Sequence, residues 1–145
     1  MISTRGRYAL RMMIDLAMHQ GSGYVSLKDI SERQDISKKY LEQIIPMLNR
    51  AGLLAASRGA GGGYRLIKKP EEYTVGEILR VTEGSMAPVA CLEATGECCC
   101  PRCGKCMTKS VWAGLYKAVT DYVDGINLQD IIDNNGAEPG DFYNI

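Results

Sequence analysis

All six cysteines of this 145-residue chain fall between Cys91 and Cys106. A disulfide scaffold would spread its cysteines to tie distant parts of a fold together. Thiols gathered into one segment point to metal or redox chemistry. Cys103-Gly104-Lys105-Cys106 is a C-x2-C pair, and Cys98, Cys99 or Cys100 could complete a four-thiolate tetrahedron around zinc. Two to four thiolates on a flexible loop can equally wrap an iron–sulfur cluster. Uncoordinated thiols could instead sense oxidation directly. In all three cases the segment is a sensor. A catalytic constellation is missing: there is one histidine, no serine elbow and no phosphate loop, so an enzyme is not expected.

The second chemically pointed stretch is Ile36 to Tyr64. Ser37 is a good N-cap, and Tyr40, Leu41, Ile44, Ile45 and Leu48 recur at three- and four-residue steps, giving one apolar helix face. The other face carries Lys38, Lys39, Glu42, Gln43, Asn49 and Arg50, side chains that reach phosphates and base edges. Gly52 ends this helix as a C′ glycine. Pro46 sits inside it, removes one backbone hydrogen bond and predicts a local bend. Leu53 to Ser57 and Tyr64 to Ile67 read as two short strands around Arg58-Gly59-Ala60-Gly61-Gly62-Gly63. A glycine-rich tip, with Gly61 and Gly62 at its centre, lets backbone approach a groove and brings the Arg58 cation with it.

The flanking elements must hold these two stretches. Thr4-Arg5-Gly6-Arg7 leads into a first helix with Ala9, Met12, Met13, Leu16 and Ala17 as its buried stripe, and Arg5 and Arg7 could touch a DNA backbone. His19, at its end, reads as a partner for the helix dipole. Ser26 caps a short second helix with Leu27 and Ile30 inward, and Gln34-Asp35-Ile36 is a tight turn before the Ser37 helix. Helix, turn, helix and hairpin is the order of a winged helix-turn-helix. Thr74-Val75-Gly76-Glu77 opens another helix, burying Val75, Ile78 and Leu79, which Gly84 closes. After the cysteines, Val111, Trp112, Leu115, Tyr116, Val119, Tyr122 and Val123 form a broad apolar stripe that suits pairing with its own copy in a twofold dimer. Asn127 to Asp133 reads as a last short helix, followed by a turn-rich tail.

Composition agrees with this division. The formal net charge is zero, yet residues 1–69 hold 12 Lys or Arg against 5 Asp or Glu, and residues 70–145 hold 5 against 12. A basic half joined to an acidic one fits a nucleic-acid face with a separate remainder. With 46% hydrophobic residues the chain can bury a core. No apolar run reaches the roughly 18 residues of a membrane span, and no signal peptide is evident, so a cytoplasmic protein is expected. The expected fold is mainly α with a small β-hairpin wing. Residues 1–69 form the winged helix-turn-helix, 70–88 a connecting helix and 89–107 the cysteine-rich sensor loop. Residues 108–133 form the dimerisation helix with a short C-terminal helix, and 134–145 the tail.

Several motifs, in this order along nearly the whole chain, carry a family resemblance. They are Ser3-Thr4-Arg5-Gly6-Arg7-Tyr8-Ala9, Ile30-Ser31-Glu32-Arg33-Gln34, Ile36-Ser37, Tyr40-Leu41-Glu42-Gln43 and Arg58-Gly59-Ala60-Gly61-Gly62-Gly63-Tyr64, then Val75-Gly76-Glu77-Ile78 and Cys106-Met107-Thr108 ahead of Val111-Trp112. The chain resembles the winged-helix regulators that include the iron–sulfur regulator IscR, the nitric-oxide sensor NsrR and the cysteine-metabolism repressor CymR. The resemblance implies a homodimer on double-stranded operator DNA, joined through the long helix after the cysteines.

Carried over by position, it implies DNA contacts from Ser37, Lys39, Glu42 and Gln43, with Arg58 in the wing. With their neighbours, the residues expected at DNA are Arg5, Arg7, Ser37, Lys38, Lys39, Tyr40, Glu42, Gln43, Arg58, Gly61 and Gly62. The resemblance also implies three cluster ligands, matched best by Cys91, Cys100 and Cys106, with Cys98, Cys99 and Cys103 as spares. A 2Fe–2S cluster is preferred to 4Fe–4S, and zinc is the alternative. IscR-like proteins have a histidine three residues after the last cysteine, where this chain has Lys109. CymR-like relatives lack these cysteines and respond to a protein partner, and the C-terminal Phe142-Tyr143-Asn144-Ile145 looks like theirs. A partner from cysteine or iron–sulfur metabolism therefore stays open. So does a role from another class, a metal or cluster carrier or an enzyme-binding module.

Overall fold

A computed structural model describes residues 1–93 and 101–135. Helix α1 (Thr4–His19) begins where the Ser3 hydroxyl accepts from the Gly6 amide, and Ala9, Met12, Met13 and Leu16 along one face are completely buried. Helix α2 (Leu27–Gln34) is capped by Ser26 and stops at Asp35, which takes the left-handed conformation with φ 51°. Asp tolerates that region better than most residues, and the Ser31 hydroxyl donates to Ile36 O at 2.6 Å across the turn. Helix α3 (Lys38–Arg50) follows, capped by Ser37, and buries Leu41, Ile44, Ile45 and Leu48. It runs through Pro46, whose ring is exposed, to Arg50. The chain then turns at Gly52, with φ 75°, into an antiparallel hairpin of β1 (Leu54–Ser57) and β2 (Gly63–Leu66).

The sequence signals drew the hairpin one residue early on its first strand and one late on its second. They missed its third member. Val25 exchanges both backbone hydrogen bonds with Tyr64 at 2.8 Å. A single bridging residue leaves no alternating pattern to read, so only tertiary contact reveals it.

Beyond the wing, α4 (Val75–Glu83) is capped by the Thr74 hydroxyl and packs on α1 and α3. Helix α5 (Lys109–Asp124) follows the thiol segment. Helix α6 (Leu128–Asn135) returns to α1 and runs two residues past the expected end of the last helix. Its start is a reciprocal cap, with Asn127 Oδ1 accepting from Asp130 N and Asp130 Oδ2 accepting from Asn127 N.

Two buried polar groups orient these elements. Asp15 on α1 is fully buried, and α2 meets it with Arg33 at 2.9 and 2.8 Å and Gln34 Nε2 at 3.0 Å. Tyr73 is also fully buried. Its hydroxyl donates to Leu53 O at 2.8 Å and accepts from the Ile67 and Lys68 amides, tying both ends of the hairpin to the segment before α4.

Burial pushes the Asp15 carboxyl up, but hydrogen bonds from Arg33 and Gln34, with the Arg33 charge, more than offset it and hold the pKa below the ordinary 3.8. A depressed folded-state pKa stabilises the fold above pH 3.8, and that contribution is lost as pH falls through the lower folded value. Arg33→Met should cost about 2 kcal/mol, below the range for a fully enclosed pair because the guanidinium keeps partial solvent access. It should also move the onset of acid unfolding to higher pH. Urea titrations between about pH 2 and 7 read both effects, and an unchanged acid limb in the variant would contradict the assignment.

Candidate nucleic-acid interface and thiol segment

The cap at Ser37 and the buried stripe of α3 dictate which side of that helix faces out. Lys38, Lys39, Glu42 and Gln43 are all exposed along it, with Asn49 and Arg50 nearly two turns beyond Gln43. Ser37 itself accepts from Tyr40 N at 3.2 Å. Tyr40 behaves differently from its neighbours. It is half-buried, edge-on to the Tyr8 ring at 5.0 Å and 74°, with Arg11 over Tyr8 at 5.4 Å. The aromatic contact ties α3 to α1. Arg5 and Arg7 are exposed at the start of α1, and Arg7 donates to Thr4 Oγ1.

A cleft of about 480 Å3 lies between α3 and the wing, lined by Pro46 and Asn49 on one side and Arg58, Gly59, Gly62 and Tyr64 on the other. The sequence marked Pro46 as a gap in backbone bonding and a place for a bend. Facing solvent, it forms part of the cleft wall. The wing's shape demands two glycines. A Cβ at Gly62 would stand 2.4 Å from Ser57 O, and one at Gly63 would stand 2.1 Å from Val25 O. Any side chain at Gly63 would open the bond pair that seats the hairpin on Val25. The resulting surface has cations, a carboxylate and amides along a helix, with an arginine at the edge of a thin loop. It can neutralise phosphates and read base edges.

Of the thiols, Cys91 sits half-buried in a 3-10 turn (Ala90–Leu92) anchored by buried Leu92, and Cys103 is half-buried at the start of a second such turn (Cys103–Lys105). Cys106 is exposed just ahead of α5. Cys98, Cys99 and Cys100, like the tail at 136–145, lie outside the described residues. Among those described, no three His, Cys, Asp or Glu side chains are gathered closely enough to hold a metal. The Cys106 thiol has a distinct environment. The Thr108 hydroxyl, 3.4 Å from Sγ, holds its pKa below the ordinary 9.0, helped by the Thr108 and Lys109 amides and the Lys109 charge. A thiol biased to thiolate is the form in which sulfur binds metal. Lys109, in place of a histidine, acts on Cys106 through its charge.

Helix α5 has an apolar stripe but no buried residue. Val111, Trp112, Leu115 and Tyr122 are exposed, while Tyr116 and Val119 are half-buried.

A family model described as an iron-dependent transcriptional regulator, Rrf2, matches residues 2–134. The chain belongs to the Rrf2 family. It is similar to the protein rrf2 of Nitratidesulfovibrio vulgaris, 40% identical over 144 residues that cover 99% of this chain and 95% of that one. Among solved structures it resembles CymR, the global cysteine regulator of B. subtilis, with TM-score 0.77 at 38% identity, covering 92% of this chain and 97% of that one. T. potens IscR aligns with TM-score 0.75 at 41% identity, covering 93% and 88%. This Rrf2-family chain is thus a winged-helix transcription regulator of the IscR and CymR type, a non-enzymatic role.

In the metal-stripped Rrf2-family protein, Cys106 should alkylate with a pH midpoint below 9.0, because a lowered pKa keeps thiolate present at lower pH. Thr108→Val should raise that midpoint toward 9.0. Peptide mass spectrometry after timed iodoacetamide exposure follows the residue. Superimposable profiles for the two proteins would show that the hydroxyl has no such effect.

Proposed function

We propose that this regulator acts as a homodimer on double-stranded operator DNA. Residues 1–69 read the duplex, 70–88 connect, 89–107 sense, and 108–133 pair the two copies. What carries the reading is the cleft shared by a cation-bearing helix face and a glycine-tipped hairpin. With α3 in the major groove, Lys38 and Lys39 meet phosphates while Glu42 and Gln43 face base edges. Glu42 accepts from a cytosine amino group and repels phosphate, so it sharpens choice at the expense of affinity. Arg58, with Gly61 and Gly62 allowing close approach, enters the neighbouring minor groove and reads its width. The α5 stripe of Val111, Trp112, Leu115, Tyr116, Val119 and Tyr122 supplies the twofold seam.

The residues assigned to a sensory iron–sulfur centre are Cys91, Cys100 and Cys106. Their donor chemistry fits, since three thiols are available and Cys106 is biased toward thiolate. Such a centre, when bound, supplies a tie among these sulfurs that depends on iron and oxidant. Cys106 adjoins the first turn of α5, so engaging it orders the chain where the dimer helix begins. The fourth ligand comes from a spare cysteine, from the partner copy or from outside the protein. The similarity to CymR supports a second reading on the same fold, in which zinc, thiol oxidation or a protein partner replaces the cluster.

A salt-titrated binding series against a selected operator tests the DNA half. Affinity should fall steeply with salt, and Arg58→Ala should cost roughly 1–3 kcal/mol. Binding indifferent to both would sink it. For the sensor half, protein purified without oxygen should be coloured, hold iron and sulfide, and change operator affinity on exposure to air. Colourless anaerobic protein with stoichiometric zinc would give the site to the second reading.

A further inference from the structure

The end of α5 is joined to the winged helix by a set of polar ties. Val75 N donates to Ile126 O at 2.9 Å, and Leu128 N donates to Tyr73 O at 3.0 Å. Inside that junction Arg80 of α4 grips Asp124 of α5 with both terminal nitrogens, Nη1 to Oδ1 at 2.8 Å and Nη2 to Oδ2 at 2.6 Å. The fork lies over a notch made by Gly76. A Cβ there would stand 1.9 Å from Asp124 Oδ1 and 3.0 Å from Arg80 Nη1. The pair keeps 41% and 38% of its side-chain exposure, so it contributes little to stability. Its two-point geometry fixes direction all the same. The helix it grips has no fully buried residue, so its direction rests on this fork, the two backbone ties and half-buried packing.

We infer that the Arg80–Asp124 fork, seated in the Gly76 notch, sets the angle between α5 and the winged helix, and so decides which half-site spacing the dimer accepts. The inference rests on the dimeric operator-binding reading above. Helix α4 packs on both α1 and α3, so an angle fixed at Arg80 is passed to the recognition helix. The sixteen residues of α5 span about 24 Å, and a rocking of roughly 10° moves one end relative to the other by about 4 Å. That is comparable with one base-pair step of ~3.4 Å, the scale on which half-site spacing changes. Arg80 and Asp124 are positioning residues and touch no base.

The test uses the full chain, Arg80→Lys, which keeps the charge but loses the fork, and Gly76→Ala, which displaces the Asp124 carboxylate. A duplex selected from a random pool is then given one central base pair more or fewer. Wild type should lose at least about tenfold in affinity on either change, while both variants lose no more than about threefold. Dimerisation by sedimentation and the salt slope should stay at wild-type values. Spacing discrimination equal to wild type in both variants overturns the fork's role. A wild-type chain that is monomeric, or that binds no duplex, overturns the dimeric reading instead.

Discussion

A carboxylate with no access to water sits one turn before the end of α1, and the helix-turn-helix is arranged to satisfy it. Asp15 could not remain ionised in that position without Arg33 and Gln34, and both lie in the last turn of α2. The carboxylate therefore dictates where α2 ends relative to α1. Arg11 extends the arrangement, bonding the Gln34 side chain and backbone from α1. Apolar packing alone would tolerate small sliding of one helix on another. A forked ion pair inside the contact does not. Because only three residues separate α2 from α3, the direction of α3 inherits that constraint.

The wing is fixed by a different device. Tyr73 carries a single hydroxyl that serves three backbone groups at once, and these lie on both strands' outer ends. At the other edge Val25 bonds Tyr64, and Gly63 is the residue that lets the two backbones approach. A two-stranded hairpin is marginal by itself in water. Held from both sides, it becomes a rigid flank for the cleft beside α3. The polar groups that organise this fold are thus few, buried and satisfied, while the polar groups that face the cleft are many and solvated.

Helix α5 stands apart from this economy. Its apolar stripe is only half-covered by the described residues, and its start carries a thiol whose ionisation is favoured by Thr108 and Lys109. Its far end is stitched to residues 73–75 and forked to α4. In the proposed arrangement, a change at Cys106 acts on one end of a lever whose other end is attached to the winged helix. The proposed sensor and the proposed reader are linked through a helix held to its neighbours by exposed, geometrically strict contacts.

Much of this was legible in the residues themselves. Caps at Ser26, Ser37 and Thr74 and the three-and-four steps of α1, α3 and α4 depend on neighbours a few positions away, so sequence order carries them. The C′ glycine at Gly52 and the apolar stripe of α5 are likewise local facts. The roles of Asp15, Tyr73, Val25 and Gly76 were not legible, because each is defined by a partner eighteen or more residues distant or by the close approach of another backbone. Nothing about an aspartate in an apolar stripe says which arginine will reach it. Local chemistry chose the elements, their order and the side chains offered to solvent. The tertiary structure alone decided the angles between them, because an angle is set by long-range contacts that no short window of sequence contains.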